Sequence, residues 1–355
     1  MPQNTQAPVL VTGATGYVAG WLVKRLLEEG HTVHATVRQP DRQEKRAHLD
    51  ELGEKLPGTL KIFQADLLQE GSFARAMEGC SVVFHTASPF TLNVEDPQKE
   101  LIDPAVKGTE NVLQQAQKTP GVERVVLTSS CAAIYTDASD TQQAPEGGLT
   151  EAHWNETASL EYQPYSYSKT LAERRAWEIA DDQEQWDLVT INPSFVLGPA
   201  LQQGEVTSES YNVLRQLGDG TMKQGVPRMG IGLVDVRDVA EAHYRAAFKP
   251  AAQGRYITSA HNTDFLEIAQ QLLPRYGDQY PLPRKALPKW LLLLIGPLVD
   301  KAFSRKMIRR NVNVPFRVNN QKITQELDLK FRPMRETVED SFQYMIDRGF
   351  FTRAS

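Results

Sequence analysis

Tyr165 and Lys169 stand four residues apart in the run Tyr165-Ser-Tyr-Ser-Lys169. On a helix that spacing puts both side chains on one face. A free phenol loses its proton near pH ~10, and an ammonium group beside it favours the phenolate and lowers that pKa. Such a tyrosine can trade a proton with a carbonyl or alcohol oxygen near neutral pH. Tyr167 is the poorer choice, because its i+4 position is Leu171. Ser130, in Leu127-Thr-Ser-Ser130-Cys131, follows a β-branched run. A hydroxyl at the carboxyl end of a strand can donate to a substrate oxygen as negative charge develops there. Read singly, Ser129 and Ser130 are helix caps and Lys169 is a surface charge; the three types together make an acid–base site.

A second constellation opens the chain. Val9-Leu-Val-Thr-Gly13-Ala-Thr15-Gly16-Tyr17-Val18-Ala19-Gly20 reads as a strand, a glycine turn and a helix start. Glycines let the backbone turn sharply and approach a pyrophosphate, and a helix N-terminus offers free N–H groups and a positive dipole end to phosphates. The next strand ends Ala35-Thr-Val37-Arg38, without the acid that would hold a ribose 2′-hydroxyl. Arg38 can pair with a 2′-phosphate through its planar fork, and Lys45 adds a second positive charge. This favours NADP(H); Asp41 keeps NAD(H) as the second option. Asp66, after the third strand, can accept from the adenine amino group or cap the following helix.

These side chains need a scaffold. Apolar β-branched runs at Pro8–Thr12, His31–Val37, Leu60–Gln64, Val82–Thr86, Val125–Thr128 and Leu188–Asn192 read as strands. Tyr17–Glu29, Asp41–Glu54, Ser72–Met77, Gln98–Lys118 and Pro164–Asp181 read as helices. Steady strand–helix alternation predicts right-handed crossovers and a Rossmann-type, doubly wound parallel sheet of the α/β class. The rhythm breaks after Pro193, in a stretch rich in Gly, Gln and Ser, and returns as a helix and strand over Val234–Phe248 and Gly254–Thr258. The expected organisation is a nucleotide domain over 1–195, rejoined by 232–258. A smaller, mostly helical substrate lobe is expected from 196–231 and 259–355.

Composition narrows the classes. A 355-residue chain with 41% hydrophobic residues buries a core without disulfides or metals. A net charge of −5 lacks the basic excess that nucleic-acid binding needs. Cys80 and Cys131 at unrelated positions point to free thiols in a reducing compartment, with Cys131 exposed to thiol reagents beside Ser130. No metal site is expected. The polar start of the chain reads as no secretory signal, so the expected location is cytoplasmic. The apolar run Trp290–Val299 is shorter than the ~20 residues of a membrane span and reads first as a buried helix, with a pocket lid, a dimer contact or a membrane-surface contact as the alternatives. A monomer or a homodimer fits equally.

Gly13xxGly16, Thr128-Ser-Ser130 and Tyr165xxxLys169 resemble the extended short-chain dehydrogenase/reductase family, and within it the dihydroflavonol-reductase-like and cinnamoyl-CoA-reductase-like branch. Asp66-Leu67, Gly71-Ser-Phe73, Gly108-Thr-Glu-Asn111, Gly254-Arg-Tyr256 and Leu327-Asp-Leu-Lys-Phe331 carry the resemblance along the chain. It implies that Ser130, Tyr165 and Lys169 are catalytic, that Lys169 also holds the nicotinamide ribose, and that Asn111 supports a proton-relay water or local structure. It further implies cofactor contacts at Gly13, Thr15, Gly16, Tyr17, Val18, Leu67, Thr86, Ala87, Ser88, Thr128, Pro193, Phe195 and Val196. Ala19 stands where the family has its third glycine, and Tyr135 where plant dihydroflavonol reductases carry an asparagine. The Asn-Trp signature of cinnamoyl-CoA reductases is missing before Tyr165.

The expected activity is NADPH-dependent reduction of a hydrophobic or aromatic aldehyde or ketone, or the reverse alcohol oxidation. Phe90, Ser130, Tyr135, Tyr165, Leu201 and Gln202 are the expected substrate contacts. Residues 196–214 contain no Arg or Lys to meet a sugar diphosphate. An epimerase or hydroxysteroid dehydrogenase/isomerase of the same superfamily is the alternative, and an NADP-binding regulator the third reading; such regulators typically lose the Tyr-Lys pair kept here.

Overall fold

The computed structural model describes residues 7–88, 94–144, 147–202, 208–299 and 303–351. Seven strands form the main sheet: β1 (Val9–Val11), β2 (Thr32–Val37), β3 (Thr59–Gln64), β4 (Val82–His85), β5 (Arg124–Thr128), β6 (Asp187–Pro193) and β9 (Gly254–Thr258). Their order is β3-β2-β1-β4-β5-β6-β9, every neighbouring pair parallel. The order reverses between β1 and β4, and the carboxyl ends there border a crevice, the place where open α/β sheets take ligands.

Helices cover both faces. One face carries α1 (Tyr17–Glu28), α2 (Gln43–Lys55), α7 (Val236–Phe248) and α11 (Gln321–Glu326); the other carries α3 (Ala74–Met77), α4 (Asp103–Gln117) and α5 (Pro164–Asp181). In α1, Ala19, Leu22, Val23, Leu26 and Leu27 recur every three or four residues and are buried. The central strands are buried on both sides, so they lack polar alternation.

A three-stranded sheet of order β10-β8-β7 adjoins the main one: β7 (Phe195–Leu197), β8 (Gly230–Asp235) and β10 (His261–Asp264). It was not legible in the sequence, and it takes Val234 and Asp235, expected in a helix, into a strand. The helices α6 (Glu209–Gly218), α8 (Phe265–Tyr276) and α12 (Met334–Asp347) pack beyond it around Tyr211, Leu214, Leu272 and Phe342. The stretch expected as one helix over Gln98–Lys118 starts as a wider turn, Gln98–Ile102, in which the Asp103 N–H reaches the Gln98 carbonyl. Pro104 has no N–H to continue a regular α ladder there.

The apolar run near the C-terminus is a helix, α9 (Lys289–Val299), but not a buried one. Only Leu292 and Gly296 are buried. The run is apolar all round, while its neighbour α10 (Arg305–Asn311) covers just one side of it, through Ile308 and residues nearby.

Candidate active site

Helix α5 begins at Pro164, whose fixed φ suits the first helical position. Gln163 before it is held in the left-handed region at φ 57. Tyr165, Lys169 and Glu173 follow at four-residue steps on one stripe of the helix. Tyr165 lies in the wall of a cleft of about 870 Å3 that runs along the carboxyl ends of the sheet. Gly13, Gly16, Tyr17, Val18, Thr86, Thr128, Ser130, Tyr135, Pro193, Phe195 and Val196 line the same cleft. The structure thus brings the glycine turn and the acid–base residues to one place.

Ser130 caps a short 3-10 turn, and its Oγ accepts from the Ala132 N–H at 3.1 Å. That leaves its O–H to donate elsewhere. Tyr165 is 40% exposed in the cleft, yet the protein around its hydroxyl raises it above the ordinary phenol range; the Ser130 hydroxyl pulls it down, and the Glu209 carboxylate pushes it further up. Lys169 is not among the groups that shift Tyr165. The Lys169 Nζ stands 5.9 Å from the Tyr165 ring centre and donates to Ser88 Oγ at 2.9 Å. Burial pulls Lys169 itself down to about 8, against the opposing field of Glu173. Tyr165 is held as a proton-bearing phenol, the form a proton donor needs.

Glu173 is fully buried and makes the supporting framework. Its carboxylate accepts from Arg255 Nε at 2.6 Å, from Asn192 Nδ2 at 2.7 Å and from the Ser129 hydroxyl. Asn192 Nδ2 also donates to the Ser130 carbonyl at 3.1 Å. Arg255 donates to the carbonyls of Glu151 and His153 at 2.8 and 2.6 Å and lies 3.9 Å from the Trp154 ring centre. Neither neighbour of the catalytic candidates is free to move without breaking this network.

The cofactor side fits a dinucleotide by its shape. Gly13 has φ +63, and a Cβ there would come 2.9 Å from the Ala87 Cβ, so Ala87 can close on the turn only because the glycine is bare. Thr12 Oγ1 holds the facing loop by accepting from the N–H groups of Thr86 and Ala87 at 3.1 and 3.0 Å. The N-terminus of α1 carries no side-chain cap and no acid in its first turn, which leaves N–H donors and the dipole for phosphate. Thr15 belongs to that turn, and the Tyr17 hydroxyl donates to the Gly198 carbonyl at 2.7 Å. Arg38, just past β2, and Lys45, in the first turn of α2, are exposed, and neither side chain makes an ion pair among the described residues.

Other expected residues sit differently. Asp66 Oδ1 accepts from the Leu68 N–H at 2.9 Å, a local turn role. Asn111 uses its amide to donate to the carbonyls of Leu67 and Gln69 at 2.9 and 2.8 Å, which fixes the loop after β3; it does not line the cleft. Leu201 and Gln202 are also absent from the described lining: Leu201 faces Gly20, and the Gln202 carbonyl accepts from the Tyr344 hydroxyl. Phe90 lies outside the described residues. Cys131, expected to be reactive, has its thiol buried and donating to the Asn192 carbonyl at 3.1 Å, and burial raises its pKa. Both cysteines are free. Gln163, Ser194, Glu209 and Ile231 line the cleft and were missed. Glu173, Gln163 and Ser194 carried a signal in their places beside Lys169, Tyr165 and Pro193; Glu209 and Ile231 carried none, because distant segments bring them in.

Comparison with known proteins gives a consistent family. A model of the NAD dependent epimerase/dehydratase family matches residues 9–258. Cinnamoyl-CoA reductase CAD2 of Medicago truncatula is 37% identical, over 96% of this chain and 96% of its own. Tetraketide alpha-pyrone reductase 1 of Arabidopsis thaliana is 37% identical over 98% of each. The crystal structure of Gre2 from Candida albicans with NADPH superposes with a TM-score of 0.76 and 28% identity, over 96% of this chain and 99% of that one. The chain belongs to the NAD dependent epimerase/dehydratase family, in its dihydroflavonol-reductase-like and cinnamoyl-CoA-reductase-like branch of oxidoreductases.

Proposed function

We propose that the chain is an NADPH-dependent carbonyl reductase for hydrophobic or aromatic aldehydes and ketones. The observation that carries this reading is the cleft itself: Ser130 and the protonated Tyr165 face a wall made of Tyr135, Phe195, Ile231, Val94 and Leu101. Tyr135 packs edge-on against Phe316, with ring centres 5.1 Å apart, and burial keeps its phenol un-ionised. No Arg or Lys is among the described lining residues, so a sugar diphosphate would find no paired cation there. Small-molecule sites of mainly apolar surface with a few polar groups have this composition.

The bound dinucleotide supplies the hydride. The chain's residues supply the rest. The Ser130 O–H donates to the carbonyl oxygen and steadies its growing negative charge. Tyr165 passes its proton to that oxygen. Lys169, as an ammonium, lies on the same helix face and supports the returning proton; in this reading it also donates to the nicotinamide ribose. Gly13, Gly16 and the α1 N-terminus hold the pyrophosphate, and Arg38 with Lys45 receives the 2′-phosphate. The NADPH bound to the Gre2 of Candida albicans, and to the yeast methylglyoxal/isovaleraldehyde reductase Gre2 at 26% identity and a TM-score of 0.76, supports this choice.

Tyr165→Phe is expected to cut carbonyl reduction by roughly 10²–10⁴-fold while NADPH binding, read by fluorescence titration, is unchanged. A near-normal rate contradicts the assignment.

Arg38→Ala is expected to raise the Michaelis constant for NADPH by about tenfold, the loss of one charge-assisted contact, and to leave that for NADH nearly as it was. An equal effect on both removes Arg38 from the 2′-phosphate.

The pH profile follows from Lys169. Its depressed pKa leaves the ammonium present below about 8 and lost above it. The kcat/KM for NADPH should therefore fall on the alkaline side, by about tenfold per pH unit. Glu173→Gln removes the field that raises Lys169, so this limb moves to lower pH. A wild-type profile that stays flat to pH ~10 rules Lys169 out.

A further inference from the structure

Seven large apolar side chains are exposed among the described residues, and five of them are on α9: Trp290, Leu294, Ile295, Leu298 and Val299. Trp290 is 64% exposed and Leu298 85%. Positions 290, 294 and 298 recur every four residues, and 295 and 299 lie beside them, so the five form one continuous face. The opposite side of the helix is closed off. Gly296 lets α10 approach until a Cβ at that position would be 3.0 Å from Ile308 Cδ1, and Leu292 packs with Ile308 and Val312. Lys289 ties the pair together by donating to the carbonyls of Arg309 and Val312 at 3.1 and 2.7 Å.

Charge gathers at the same place. Residues 289–310 hold six basic side chains, Lys289, Lys301, Arg305, Lys306, Arg309 and Arg310, against the one acid Asp300, in a chain whose net charge is −5. Arg305, Lys306 and Arg309 are exposed. Arg310 is held by Asp137 and Asp140 and fixes the helix pair to the turn Ala138–Gln143, just after Tyr135 and Thr136 of the cleft wall. The helix is eleven residues long and no helix among the described residues is long and apolar enough to cross a membrane.

We propose that the α9–α10 pair is a docking surface for an anionic phospholipid membrane, on which α9 lies in the plane of the interface. An apolar face bearing tryptophan beside a basic cluster is what binds at the headgroup boundary, where burial of the apolar side chains and attraction to anionic lipids act together. A second copy is a poorer occupant. A two-fold contact sets the same patch against itself, and that would bring the exposed Arg305, Lys306 and Arg309 of each copy towards like charge.

The test is sedimentation of the full chain with vesicles of phosphatidylcholine alone and of phosphatidylcholine with about a third phosphatidylglycerol. The chain should sediment with the anionic vesicles only and be released by about 0.5 M salt. Leu294→Gln/Leu298→Gln changes two solvent-facing side chains, so the thermal midpoint should hold while vesicle affinity falls by about tenfold or more. Arg305→Glu/Arg309→Glu should lower affinity for the anionic vesicles similarly. The proposal is overturned if the chain stays in solution with both vesicle types or if both double variants bind like the wild type. It is also overturned if the wild type is a dimer that Leu294→Gln/Leu298→Gln turns into a monomer, which would assign the face to a second copy.

Discussion

The buried carboxylate of Glu173 is the constraint on which the site's geometry depends. It is taken out of water completely, and only a full set of donors makes that tolerable. Arg255 from β9, Asn192 from β6 and Ser129 from the end of β5 supply them. Through these partners one charge on α5 fixes the helix that carries Tyr165 and Lys169 against the strand end that carries Ser130. Removing one member of such a pair leaves an uncompensated buried charge, typically ~3–5 kcal/mol of lost stability. The network's second role is electrostatic. Glu173 lies one helical turn from Lys169 and is the opposing influence that keeps its pKa from falling further.

The surroundings of this network also bear on protonation. The Tyr165 phenol is pushed above its ordinary range and the Lys169 ammonium below its own. The two tendencies favour a proton-bearing phenol beside an ammonium that titrates near neutrality. That arrangement fits carbonyl reduction, where the oxygen must receive a proton. Glu209, the first residue of α6, adds to it by raising Tyr165 further.

Much of this was readable from the sequence because it is local. The Pro164–Asp181 helix has the same bounds in the structure as in the sequence reading, since its proline start and i,i+4 pairing are short-range signals. The glycine turn, and the strands flanking it, are local for the same reason. What could not be read depends on distant partners. The strand β8 contains Gly230 and Gly232 and is defined by pairing with β7 and β10, so its own residues gave no β signal. Ile231 enters the cleft by that route, and Glu209 enters it from the start of α6. The opposite error arose at Trp290–Val299, where apolar composition implied burial; composition says how much surface prefers to be covered, not whether this chain covers it. Asn111 shows a third case: its motif position allowed a proton-relay water or local structure, and its amide here fixes a loop.

The proposed reaction moves a hydride from NADPH to a carbonyl carbon while Tyr165 protonates the oxygen. The most direct measurement is reduction of an aryl aldehyde or aryl ketone with NADPH deuterated at the nicotinamide C4, followed by mass spectrometry of the product. The account predicts an alcohol carrying one deuterium on the former carbonyl carbon, from one face of the nicotinamide only, and no such product from Tyr165→Phe at matched times. Unchanged carbonyl substrates across the aryl series, with turnover confined to nucleotide sugars, would contradict it.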